Sequence, residues 1–272
     1  MSEPRWFDGR AGLVTGAASG IGRASALAFS AAGGSVVVGD LESSRPGGEE
    51  TVRLITEAGG EAIFVAVDVS RADQVEHLID STVATFGRLD FAHNNAGTVA
   101  EGFTAEVEEG AWDRVFDVNI KGVWLCMKYE LRYMKDHGGG AIVNTASVSG
   151  LVGTALTSPY VSTKHAVVGL TKVSAGEYAN LGIRINAVAP GAIWTPLMQS
   201  APEPLQQMML APQPLHRFGT AEEVAEAVIW LSSHKASFIT GVTLPVDGGL
   251  LATPGSYNPM LSPSPDDDTA RD

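Results

Sequence analysis

Gly12-Leu13-Val14-Thr15-Gly16-Ala17-Ala18-Ser19-Gly20-Ile21-Gly22 decides the fold. Gly12–Thr15 is an apolar run of strand length. A helical pattern opens at Gly20 and runs to Ala32, where Gly33-Gly34 supplies a C-cap signal. Between them lies a glycine-rich turn. Glycines let the backbone approach a pyrophosphate closely, and the helix N-terminus offers free N–H groups and a positive dipole end. Alone, such a loop also reads as a plain tight turn. The next apolar run, Val36–Val38, leads to Asp40, some 20 residues beyond the turn. A carboxylate there accepts hydrogen bonds from both ribose hydroxyls of NAD and repels a 2′-phosphate. The neighbours Gly39, Leu41 and Glu42 supply no base, and Arg45 is five positions on. The reading is NAD rather than NADP, with a solvated strand-end carboxylate as the alternative.

Working outward, apolar runs recur at 62–67, 89–92, 141–143, 183–188 and 242–246. Helical patterns alternate with them at 50–58, 72–86, 112–134, 160–180 and 221–232. This alternation predicts an α/β, doubly wound parallel sheet with helices on both faces. The segment from Ile193 to Phe218 carries five prolines and several Met, Gln and Leu, and reads as a mobile lid over a site. From Thr253 to Asp272 the chain is rich in Pro, Ser and Asp and reads as a disordered tail after one catalytic domain, 1–252.

The 272 residues hold 18 Lys+Arg against 31 Asp+Glu, a net charge of −13. That balance argues against binding nucleic acid or anionic lipid, both of which need a basic face. A single cysteine, Cys126, excludes an intrachain disulfide and fits a reducing, cytoplasmic address. No run reaches the ~20 apolar residues of a membrane span, and Met1–Arg10 lacks a signal-peptide core. The six histidines are scattered, so no metal site is expected, and His93 and Cys126 read as packing residues.

The turn spacing is Gly-x-x-x-Gly-x-Gly, and later motifs accompany it. The strongest is Tyr160-Val161-Ser162-Thr163-Lys164. Tyr and Lys four apart share one helix face. A phenol with a reference pKa near ~10 needs a nearby ammonium to become a base at neutral pH. Ser147 precedes Tyr160 by 13 residues, with Ser149 as its competitor. Either hydroxyl can stabilise charge developing on a substrate oxygen. Asn119 interrupts a good helix pattern, where Asn is a poor residue. Asn94-Asn95-Ala96-Gly97 and Pro190-Gly191 each follow an apolar run.

Together these motifs resemble the classical short-chain dehydrogenases/reductases, from about Phe7 to Gly249. The resemblance implies a Rossmann-like sheet of about seven strands in the order 3-2-1-4-5-6-7. It implies catalytic roles for Asn119, Ser147, Tyr160 and Lys164, with Asn119 anchoring a water relay to Lys164. It places the cofactor along Gly16, Ser19, Gly20, Ile21, Gly22, Asp40, Leu41, Asp68, Val69, Asn95, Ala96 and Gly97. Tyr160, Lys164, Pro190, Gly191, Ile193 and Thr195 complete that set. Substrate would meet Ser147, Ser149 and Tyr160. Asn95 is expected to brace the sheet, and Ser70 to be the rival N-cap of the helix near Ala72. Surplus apolar residues on 112–134 and 160–180 imply a homotetramer or dimer.

The expected activity is NAD-dependent interconversion of a secondary alcohol and its ketone. The Met- and Leu-rich lid hints at an apolar, cyclic or steroid-like substrate. Two rival readings are a non-catalytic NAD(H)-sensing protein and a sugar-nucleotide epimerase or dehydratase.

Overall fold

Strand β1 (Ala11–Thr15) is buried at every position, as a strand covered on both faces must be. In a computed structural model, which describes residues 5–252, it lies at the centre of a seven-stranded sheet. The other strands are β2 (Ser35–Asp40), β3 (Ala62–Ala66), β4 (Phe91–Asn94), β5 (Gly140–Thr145), β6 (Ile183–Pro190) and β7 (Thr243–Val246). Their order is β3-β2-β1-β4-β5-β6-β7, and every pairing is parallel.

Side chains alternate between the sheet's two faces, so neighbours in sequence feed opposite cores. Leu13, Ala92, Ile142 and Ile185 pack against α3 (Ala72–Phe86), α5 (Val123–Met134) and α6 (Ser158–Tyr178). Val14, Phe91, Val143 and Val188 pack against α1 (Gly20–Ala31), α2 (Arg45–Glu57) and α9 (Ala221–Ser232). Phe7, Phe29 and Phe91 join this second core as an aromatic trio with centroids 4.1–5.1 Å apart.

Three boundaries differ from the pattern reading. β4 starts at Phe91 rather than Leu89, and the Asp90 carboxylate before it accepts from the Ala11 N–H and the Arg88 guanidinium. α2 starts at Arg45 rather than Glu50. Pro46 is harmless in a first turn, where no N–H partner is lost. Gly48 lets this helix lie on β3, since a Cβ there would stand 2.2 Å from the Phe64 ring. The 112–134 stretch is not one helix. α4 (Glu109–Phe116) passes through a π-helical turn, Asp117–Gly122, into α5.

The proline-rich 193–218 segment holds two short helices, α7 (Pro196–Gln199) and α8 (Glu203–Leu210), each with a proline in its first turn. The expected tail, 253–272, lies outside the described residues. Among the described residues, no helix is long and apolar enough to cross a membrane, and no cluster of His, Cys, Asp and Glu could hold a metal. Cys126 is buried, and burial pushes its thiol up.

Glu130 is fully buried beneath β4 and β5, where Asn94 Nδ2 donates to its Oε2 at 3.1 Å. Burial pushes its carboxyl up to about 8, while the Asn94 bond pulls the other way. The folded chain therefore holds a proton that the unfolded chain releases near the ordinary value of 4.5. Stability should fall as pH rises from about 5 to about 8 and then level off, by roughly 1.4 kcal/mol per unit from this group. Chemical denaturation across that range should show the slope, and Glu130→Gln should remove it.

Candidate active site

The predicted site residues gather at the carboxyl ends of the strands. They centre on the gap between β1 and β4, where the strand order reverses, the usual place for a ligand on an open parallel sheet. Gly16 (φ +66) and Gly20 (φ +53) take left-handed conformations in the turn after β1. A Cβ on Gly22 would stand 2.1 Å from the Gly16 carbonyl, so α1 can leave the turn only at glycine. Ser19, the N-cap of α1, makes no side-chain cap bond, which fits a phosphate group taking that place.

Asp40 is half-buried at the end of β2. Its Oδ2 accepts from the Ala18 N–H at 2.9 Å and its Oδ1 from the Leu41 N–H at 2.7 Å. Each oxygen keeps a further lone pair for a ribose hydroxyl. The cations nearby are engaged elsewhere. Arg45 is paired with Glu42 and Glu49 and lies over the Phe64 ring. Arg23, which sequence reasoning did not single out, folds back onto Ala18 O, Gly47 O and Thr51 Oγ1.

Asp68 Oδ1 accepts from both the N–H and the hydroxyl of Ser70. Ser70 is thus not the N-cap of α3. Arg71 takes that place, because the Ser70 hydroxyl is spent on Asp68. Val69 is buried beside Gly122. Asn95 braces the sheet as expected of it. Its Nδ2 donates to the carbonyls of Thr15 and Gly16, and its Oδ1 accepts from Thr145 Oγ1. Ala96 N donates to Thr15 Oγ1, which keeps the Ala96-Gly97 backbone against the glycine turn.

Asn119 occupies the π-helical turn and is fully buried. Its amide is satisfied by Thr98 N and O, both at 2.8 Å, and by Thr163 Oγ1 at 3.2 Å. Thr163 lies inside the Tyr160–Lys164 motif, so one helix turn serves both. Gly97 sits between them, and a Cβ there would stand 3.4 Å from Asn119 Oδ1 and 3.6 Å from Lys164 Nζ.

α6 presents Tyr160 and Lys164 on one face, with Lys164 Nζ 5.6 Å from the Tyr160 ring centre. Lys164 is buried and donates to the Thr145 carbonyl at 2.7 Å. Ser147 caps the short turn after β5, accepting from Ser149 N at 3.1 Å. The Ser149 hydroxyl pairs with Thr154 at 2.8 Å, in the loop leading to α6.

Burial pushes the Tyr160 phenol up, and the hydrogen bond with Ser147 opposes it. Burial also pushes Lys164 down to about 8. Lys164 is the more deeply buried of the two, and its ammonium donates to a neutral carbonyl rather than to a carboxylate.

Pro190 ends β6, and Gly191 N donates to Val246 O. A Cβ on Gly20 would stand 3.4 Å from Thr195 Cγ2, so Thr195 borders the glycine turn. Ile193 pairs with Gly219 in a short parallel ladder. Two residues here carried no usable sequence signal. Thr145 offers Lys164 only a backbone carbonyl. Gln213 is buried, although it lies in a run of Pro and Leu that reads as loop.

A family model described as enoyl-(acyl carrier protein) reductase matches residues 16–251. The chain belongs to the classical short-chain dehydrogenases/reductases. It is 44% identical over 248 residues to cis-4-hydroxycyclohexanecarboxylate dehydrogenase of Sinomonas cyclohexanicum, covering 90% of this chain and 98% of that protein. It is also 44% identical over 245 residues to cyclohexanol dehydrogenase of Acinetobacter sp. strain SE19, covering 89% and 95%. A solved structure from Agrobacterium tumefaciens, assigned as a 2-deoxy-D-gluconate 3-dehydrogenase and holding NADP, superposes with a TM-score of 0.84. It is 34% identical and covers 92% of this chain and all of that one. Members of this dehydrogenase family use a nicotinamide cofactor, and this one is an oxidoreductase of alcohols and ketones.

Proposed function

We propose that this dehydrogenase uses NAD to oxidise a secondary alcohol on an apolar ring, or reduces the matching ketone. The observation carrying the reaction class is the grouping of Tyr160 with Lys164 on one face of α6 and with Ser147 after β5. Two relatives named for cyclohexane-ring alcohols support the substrate class. So do the exposed apolar side chains of Leu151, Leu156, Trp194 and Met208 on the loop before α6 and in the 193–218 segment.

When bound, the nicotinamide supplies the hydride acceptor or donor. The chain's own residues do the rest. The glycine turn and the N-terminus of α1 hold the pyrophosphate, and Asp40 holds the adenosine ribose. Ser147 donates a hydrogen bond to the substrate oxygen. Tyr160 takes the hydroxyl proton in oxidation and returns it in reduction. Lys164 charge favours the phenolate and binds the second ribose. Asn119, with its side chain fully engaged, leaves its backbone as the relay anchor. A homo-oligomer is part of this reading, because Trp124 on α5 and Val173 on α6 are exposed at 46% and 54%.

The test is NADH formation by aliphatic, alicyclic, steroid and sugar alcohols. Alicyclic alcohols should be turned over best, and a preference for sugars would overturn the substrate class. NAD should be favoured over NADP. Asp40→Ala should narrow that preference by about tenfold, the worth of roughly 1.4 kcal/mol, and an unchanged ratio would refute the assignment.

A further inference from the structure

The 193–218 segment leaves and rejoins the fold at one narrow place. The outgoing leg begins at Ala192, directly after the Pro190-Gly191 turn. The returning leg is Gln213–Gly219. Ile193 and Trp194 pair in parallel with Gly219 and Thr220, and the Trp194 and Phe218 rings touch at 5.1 Å. Beneath this neck lies Gln213, 1% exposed.

The Gln213 carboxamide joins both legs. Its Oε1 accepts from the Ala192 N–H at 3.0 Å, and its Nε2 donates to the Arg217 carbonyl at 3.0 Å. Its own carbonyl accepts from His216 N, where the backbone takes a left-handed turn (φ +49). Gly191 has no room for a side chain because of this contact: a Cβ there would stand 2.7 Å from Gln213 Oε1. Leu215 N is bonded in turn to Gly248 O, just past β7. The turn ending β6 is therefore shaped from below by one side chain, which reaches it across 21 residues of sequence.

We propose that Gln213 is a positioning residue: it fixes the Gly191-Ala192 turn to both legs of the 193–218 segment, and so shapes the nicotinamide end of the cofactor site. This rests on the reading that the turn receives that end of the cofactor. Without the carboxamide, the buried Ala192 N–H is left unpaired, the tie to the Arg217 carbonyl is lost, and the turn is free to shift. The adenosine end, held by Asp40 and the glycine turn, does not depend on Gln213.

The experiment compares NADH with ADP-ribose, which lacks the nicotinamide, by fluorescence and calorimetric titration. It uses the wild-type protein, Gln213→Met and Gln213→Glu. Gln213→Met should weaken NADH by about tenfold or more, from the cost of leaving a buried group unpaired, and leave ADP-ribose affinity within about twofold. Gln213→Glu keeps the acceptor for Ala192 N–H but offers the Arg217 carbonyl a donor only when protonated, so its NADH affinity should recover toward the wild type as pH is lowered. Equal weakening of both ligands would show a general structural role and overturn the proposal, as would no weakening of either. If the wild-type protein binds neither ligand, the cofactor reading itself falls, and this inference with it. Thermal unfolding of both variants reports whether each is folded.

Discussion

Tyr160→Phe should lower kcat for alcohol oxidation by about a thousandfold or more, the upper range for removing a general base. NADH affinity should stay near the wild-type value, because the ring that packs on α6 is retained and only the hydroxyl is lost. The physical ground is that Tyr160 is half-buried and offers the ionisable group hydrogen-bonded to Ser147. Lys164 cannot replace it, because its Nζ is buried and committed to the Thr145 carbonyl. Stopped-flow turnover with NAD and an alicyclic alcohol, beside an NADH titration, separates the two effects. A variant that loses cofactor binding in proportion to rate would mean that Tyr160 serves binding rather than proton transfer. A variant with unchanged turnover would mean that the proton path lies elsewhere.

The sheet was legible because its inner strands are buried on both faces, which leaves apolar runs that need no context to read. β1, the glycine turn and α1 are the clearest case, since turn chemistry and pattern agree there. Legibility failed where a local rule met a tertiary demand. Pro46-Gly47-Gly48 lies before the helical pattern at 50–58, yet all three are helical, and position 48 must be glycine because Phe64 leaves no space for a Cβ. Asn119 reads as a helix interruption, and the π-helical turn is that interruption, but its partner Thr98 could not be named from spacing. In the site, the spacing of Tyr160 and Lys164 carried through to a shared face of α6, with Lys164 Nζ 5.6 Å from the Tyr160 ring centre. What spacing could not carry was desolvation. The sequence places an ammonium near a phenol, while the fold removes water from the ammonium.

That desolvation gives Lys164 a double signature. Lys164→Met should cut kcat by about a hundredfold or more and raise the KM for NAD, because the same ammonium is assigned to the phenolate and to a ribose. Tyr160→Phe should change only the first. The pH dependence should move as well. With the ammonium gone, phenolate forms only at or beyond the ordinary phenol value of about 10, so the half-maximum of alcohol oxidation should shift to higher pH. Stability should not follow activity down. Lys164 is pushed down to about 8 from 10.5 by burial, so the folded chain holds its proton less tightly than the unfolded chain. Below pH 8 that difference opposes folding by roughly 3 kcal/mol, and methionine, of similar shape, removes it. The loss of the bond to Thr145 O offsets part of the gain, at about 1–3 kcal/mol. Thermal unfolding at pH 7 should therefore give a Tm equal to or above the wild type, in a protein that has lost its activity. A large fall in Tm would instead make Lys164 a structural residue, and the kinetic loss would then be a consequence of misfolding rather than of chemistry.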